Sequence, residues 1–148
     1  MKIAMIVSFI LWTLFLNAQE NKNYLENNTF ISKVGSICEE TNIPDPCAGA
    51  QIYLILMFKK EYVFISEKYI STCDKVEIIK IGCFKWGLSE NNEVKIDYNP
   101  DINKVIEYEF NFSIFMDNLT FELIDNRLRG KEKRKNKVIE YIFLKNSE

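Results

Sequence analysis

The chain has 148 residues, 47% of them hydrophobic and 27% charged, with 19 basic side chains against 21 acidic ones and no histidine. The near balance of charge argues against a dedicated nucleic-acid binder, which needs a domain-wide excess of Lys and Arg. The missing histidine removes Ser-His and Cys-His nucleophilic chemistry and most catalytic zinc sites, so binding is favoured over catalysis, with glycan hydrolysis by paired carboxylates as the enzymatic alternative.

The first eighteen residues, MKIAMIVSFILWTLFLNA, carry one charge at Lys2, an apolar run over 3–16 and a small residue, Ala18, where a signal peptidase cuts. They read as a secretory signal. The run is shorter than the ~20 residues of a bilayer span, so no stable membrane span is expected after cleavage, and the mature protein is expected to be secreted or periplasmic. Removal of 1–18 takes away Lys2 and no acid, leaving 18 basic against 21 acidic side chains and a net charge of −3. Residues 19–28, with the polar stretch ENKNYLENN, are expected to form a flexible lead-in. A single domain over 29–148 follows, of a size that buries roughly two-thirds of its unfolded surface around one core.

Four cysteines, Cys38, Cys47, Cys73 and Cys83, lie behind the signal with no CxxC among them. In an oxidising compartment such an even set reads as a disulfide framework. Thioredoxin-like redox chemistry lacks its motif, and the x8 and x9 spacings are too wide for a four-thiolate zinc site. Two pairings compete. Runs 51–58 and 62–70 flank the polar trio Lys59, Lys60 and Glu61, the mark of a hairpin in which facing residue numbers sum to about 120. That register places Cys47 opposite Cys73 and leaves Cys38 with Cys83. The alternative closes two local loops, Cys38 with Cys47 and Cys73 with Cys83.

Period-two alternation dominates the rest. Candidate strands are 29–38, 51–58, 62–70, 76–88, 93–98, 104–115, 119–124, 127–133 and 137–145, apolar on one side, polar on the other, and rich in β-branched and aromatic residues. Short turns rich in Asn and Asp join them. Eight or nine strands in a meander predict an all-β barrel, with a β-sandwich as the alternative. Run 51–58 is apolar on both faces, so its second face calls for a cover: the lead-in, the 38–50 loop or a partner protein.

Several stretches bear on function. In GCFKWGL, Phe84 and Trp86 share a face, and with Tyr108 and Phe110 they form the candidate lining of a ligand cavity, while Gly82 and Gly87 are positions where the strand can bend. The stretch RLRGKEKRKNK directs Arg127, Arg129, Lys131 and Lys133 to one side as a candidate protein or anion contact; the plainer role of such lysines is to block edge-to-edge aggregation. DYNPDIN at 97–103 has alternating Asp and Asn but lacks the Gly and the closing Glu of a calcium loop. The acids Glu39, Glu40, Asp45 and Asp74 read as solvated loop charges. Asn27, Asn111 and Asn118 fit N-x-[ST], a glycosylation acceptor in a eukaryotic secretory pathway. No metal or cofactor is called for.

The pattern GCFKWGLSENNEVKID, followed by LTFELIDNRLRG and a closing KVIEYIFLK, resembles small secreted lipocalin-like proteins of Bacteroidota, over roughly 50–145. The first strand, SKVGSIC, lacks the Trp that lipocalins carry there. The resemblance implies a lipocalin-like barrel in an exported protein. The expectation from residues and resemblance together is a monomeric, non-enzymatic binding protein that holds a small apolar or amphipathic ligand inside its barrel. The alternative is a module, such as an inhibitor or immunity protein, that meets an envelope protein through the basic hairpin.

Overall fold

The computed structural model describes residues 20–38, 48–98 and 116–146. Among these residues eight strands follow one another: β1 (Thr29–Ile37), β2 (Ala50–Phe58), β3 (Tyr62–Ser71), β4 (Val76–Leu88), β5 (Glu93–Ile96), β6 (Leu119–Ile124), β7 (Arg127–Arg134) and β8 (Lys137–Asn146). Each pairs antiparallel with its neighbour in sequence, and β8 returns to β1, so the meander closes into a barrel rather than a sandwich. The expected strand at 104–115 lies outside the described residues, as do Tyr108, Phe110 and the signal at 1–18.

Alternation is the cause of closure: each strand keeps an apolar row for the inside. Ile52, Leu54, Leu56 and Phe58 of β2 are buried, as are Val63 and Ile65 of β3, Phe121 and Leu123 of β6, and Leu128 of β7. Turn chemistry sets the registers. Asp125 and Asn126 both adopt positive φ, 50° and 56°, the backbone of a two-residue hairpin turn that suits the twist of the flanking strands, and Ile124 faces Arg127 across it. Facing residues of β2 and β3 sum to 121, from Ala50 with Ser71 to Phe58 with Val63, one more than the hairpin arithmetic predicts. Ile65 faces Gly82 but Ser66 faces Lys80, so Ile81 is an extra residue beside Gly82, a bulge of the kind that bends a strand.

The two ends of the barrel differ. One is plugged. Residues 20–25, expected to belong to a flexible lead-in, form a short helix, because the arm carries apolar side chains that the barrel end can bury. Leu25 is fully buried, Tyr24 packs on Phe30 with ring centroids 5.8 Å apart, and Asn28 Nδ2 donates to Tyr24 O at 2.8 Å. Phe30, Phe58 and Trp86 continue the plug as edge-on ring pairs 5.8 and 4.9 Å apart. At the far end β1 and β8 separate. They pair only at Thr29 with Asn146, Phe30 with Lys145 and Ile31 with Leu144, and the rest of β1 runs on beside β2 alone.

The cysteine framework needs correction. Cys38 and Cys83 are free and exposed, so neither two-bridge scheme holds. Register explains why. Cys83 faces Phe64, Phe64 faces Met57, and Met57 faces Thr29 at the start of β1, whereas Cys38 follows the end of β1. Nine residues of strand separate them, roughly 30 Å, against a Cα separation limit of about 7 Å for a disulfide. Cys73 is disulfide-bonded; Cys47 lies outside the described residues.

Candidate functional site

Where β1 and β8 part, a cleft of about 460 Å³ forms, lined by Val34, Gly35, Ser36, Ile37 and Ile52 on one side and Arg134, Ile139 and Tyr141 on the other. A bulge helps to shape its first wall: Lys33 faces Tyr53 while Gly35 faces Ile52, so Val34 is an extra residue and stays buried. Four aliphatic side chains give the cleft its apolar character. Its polar group is a triad on β7 and β8.

In that triad Glu132 is buried. Tyr141 OH donates to Glu132 Oε2 at 2.6 Å, and Arg134 Nε donates to Oε1 at 2.7 Å. Burial alone would raise the Glu132 carboxyl, but the hydrogen bonds from Arg134 and Tyr141, with the charges of Arg134 and Lys137, hold it below its ordinary value. The same burial, the hydrogen bond to Glu132 and its charge push the Tyr141 hydroxyl up to about 12. Tyr141 therefore stays a neutral donor, and Glu132 a carboxylate with both oxygens engaged. Arg134 has five N–H donors, of which Nε is committed to Glu132.

A second buried carboxyl sits deeper. Glu67 of β3 has no solvent exposure, and Oε2 accepts from Tyr69 OH at 2.8 Å. Its other oxygen, Oε1, has no hydrogen-bond partner. Burial raises the Glu67 carboxyl, against the smaller opposing effect of the Tyr69 hydrogen bond.

The residues singled out from sequence fall in two other places. Trp86 is half-buried in the plug, where its Nε1 donates to Lys59 O at 2.7 Å, and Phe84 is buried with its ring 5.1 Å from that of Tyr98; neither lines the cleft. Arg127, Arg129, Lys131 and Lys133 do share the outer face of β7, since Leu128, Gly130 and Glu132 alternate with them as buried residues. Two of the four are paired across strands: Lys131 Nζ lies 2.6 Å from Glu122 Oε2, and Arg129 Nη1 lies 3.5 Å from Glu140 Oε1. Of the DYNPDIN stretch, residues 99–103 lie outside the described residues, as do Glu39, Glu40, Asp45 and Asn111.

Sequence reasoning passed over Glu67, Glu132, Arg134 and Tyr141. The signal was present. Alternation from Val63 and Ile65 carries Glu67 to the buried face, and the same alternation that directs Arg127 to Lys133 outward directs Glu132 inward. A charged residue type marks exposure more often than burial, which hides such residues in an alternating strand.

The fold and site together define an eight-stranded up-and-down barrel, plugged at one end and clefted at the other. No protein-family model matches the chain, and no curated protein or solved structure matches it. Among the described residues no helix is long and apolar enough to cross a membrane.

Proposed function

We propose that this chain is an exported, non-enzymatic binding protein that holds an amphipathic anion in the cleft between β1 and β8, with the alkyl chain against Val34, Ile37, Ile52 and Ile139 and the anionic head beside Arg134. The observation that carries this reading is the position of a guanidinium at the rim of an aliphatic cleft. An apolar slot with a few placed polar groups is the usual form of a small-molecule site. Lys133, Lys135 and Lys137 stand next to Arg134 in sequence on the β7–β8 hairpin and add positive charge at that end. Export is supported by the signal-like 1–18 stretch and by the disulfide at Cys73, whose partner in this reading is Cys47, as the hairpin register suggests.

Calorimetric titration with dodecanoate is expected to show saturable binding that weakens by about one to two orders of magnitude in Arg134→Gln, since a charge-assisted hydrogen bond contributes about 1.5–3 kcal/mol. Titration of Trp86 fluorescence is a poor substitute, because Trp86 lies in the plug. Failure of dodecanoate and its shorter and longer homologues to bind would remove the cleft as a ligand site.

A second reading is a protein contact through the outer face of β7 and β8. Its supporting observation is that Ile142 and Val138 on β8 are 49% and 60% exposed and face Arg129 and Lys133 of β7, while no ion pair forms for Arg127 or Lys133 among the described residues. Charge reversal at Arg127 and Lys133 should then abolish capture of a partner; an unchanged partner list would discard this reading.

A further inference from the structure

Among the described residues, one polar atom inside the barrel is left over. Glu67 Oε1 is buried and unpartnered, which costs free energy unless something supplies a hydrogen bond. Its place in the fold relates it to the cleft. Ile52, which lines the cleft, faces Tyr69, and the next inward pair along the same two strands is Leu54 with Glu67. Ser32, also buried, faces Leu54 from β1. Glu67 thus lies one layer of side chains below the cleft wall, on a ring with a buried serine.

We propose that Glu67 Oε1 is the interior contact for a hydroxyl on the alkyl chain of the bound anion, so that the ligand class is a hydroxylated fatty-acid-like molecule. This deepens the reading of the cleft and rests on it. The choice of a hydroxyl follows from the chemistry of the leftover atom. With Oε2 accepting from Tyr69, an ionised Glu67 needs a donor at Oε1, and a protonated Glu67 offers a donor there that needs an acceptor. A hydroxyl both donates and accepts, so it satisfies either state. An ammonium answers only the ionised form and a carbonyl only the protonated one. A neutral hydroxyl also enters an apolar interior at far lower cost than a charged group.

The test is calorimetric titration of the full mature protein with dodecanoate, with ω-hydroxydodecanoate, and with isomers whose hydroxyl is moved stepwise toward the carboxylate. One isomer is expected to bind about tenfold tighter than dodecanoate, and Glu67→Leu is expected to erase that preference while leaving dodecanoate binding in place. Equal affinity for every isomer overturns the inference and leaves the cleft reading intact, with Glu67 served by an ordered water. Binding by none of them overturns both. A preference that survives in Glu67→Leu overturns the assignment to Glu67. Should the Leu variant fail to fold, the wild-type series still decides whether the chain hydroxyl is read, and the ¹³C carboxyl resonance of Glu67 decides where: it shifts with the preferred isomer and not with dodecanoate, and the absence of that difference counts against the proposal.

Discussion

Glu67 and Glu132 face the same barrel interior, yet their carboxyls move in opposite directions, because one has a single hydrogen bond and the other has two, one of them from the charged guanidinium of Arg134. The consequences for stability have opposite sign. The folded-state value of Glu67 is raised above 4.5, so its contribution is fully present below that value and is lost as pH rises through the folded value. Glu67→Gln is therefore expected to stabilise the protein at pH ~7, by about 1–3 kcal/mol, with the gain shrinking as the pH falls through the raised folded value toward 4.5 and absent below it; urea melts across that window check it. Glu132 is depressed below 4.5, so its contribution is present above that value and is lost as pH falls through the folded one. Tyr141→Phe, which removes the donor to Oε2, should cost about 1.5–3 kcal/mol near neutrality and progressively less in acid. A pH-independent loss would show that the hydroxyl contributes without regard to the charge on Glu132. Alternation places both carboxyls in inward rows, but a charged residue type marks exposure more often than burial, and the partners that satisfy each lie beyond any local pattern.

At the scale of strands, the structure rests on alternation, and alternation is the property that short stretches of sequence carry best. The bounds of β1, β2, β3, β4, β6, β7 and β8 fall within a residue of those expected, because period two and β-branched or aromatic residues agree at each. Packing between strands is less legible. Gly130 is an example: it points into the core on β7, and a Cβ there would lie 2.9 Å from Phe143 Cε2 and 3.2 Å from Leu119 Cδ1. The Phe143 ring is itself buried and edge-packed on Phe121 at 5.6 Å, so it has little room to yield. Gly130→Ala is expected to cost about 1–3 kcal/mol through overpacking, seen as a lower urea midpoint at unchanged slope. Gly87→Ala, where nothing lies within 4 Å of the added carbon, serves as the near-neutral control. Alternation puts Gly130 on the inward row of β7 and Gly87 on the outward row of β4, but how closely other side chains approach each is set by the neighbouring strands.

For the whole molecule, closure explains both the plug and the cleft. A meander must bring its last strand back to its first, and here β8 meets β1 at three residue pairs only, so one end seals around Leu25 and the aromatic rings while the other parts. Closure also decides the fate of the sulfurs. Under denaturing, non-reducing conditions two thiols, Cys38 and Cys83, are expected to react with maleimide, and the intact mass should show a deficit of two hydrogens rather than four. Four blocked thiols would contradict the strand order, because Cys38 and Cys83 bond only if the wall between them is rebuilt. Loss of the remaining bridge in Cys73→Ala is expected to cost about 2–4 kcal/mol. The amino-acid sequence by itself determined the all-β class, the strand boundaries and the inward rows, since each depends on residues two apart along one chain. Which cysteines stay reduced, where the wall opens, and which carboxyl oxygen is left without a partner were decided only by tertiary structure, because each depends on distances between strands that share no local pattern.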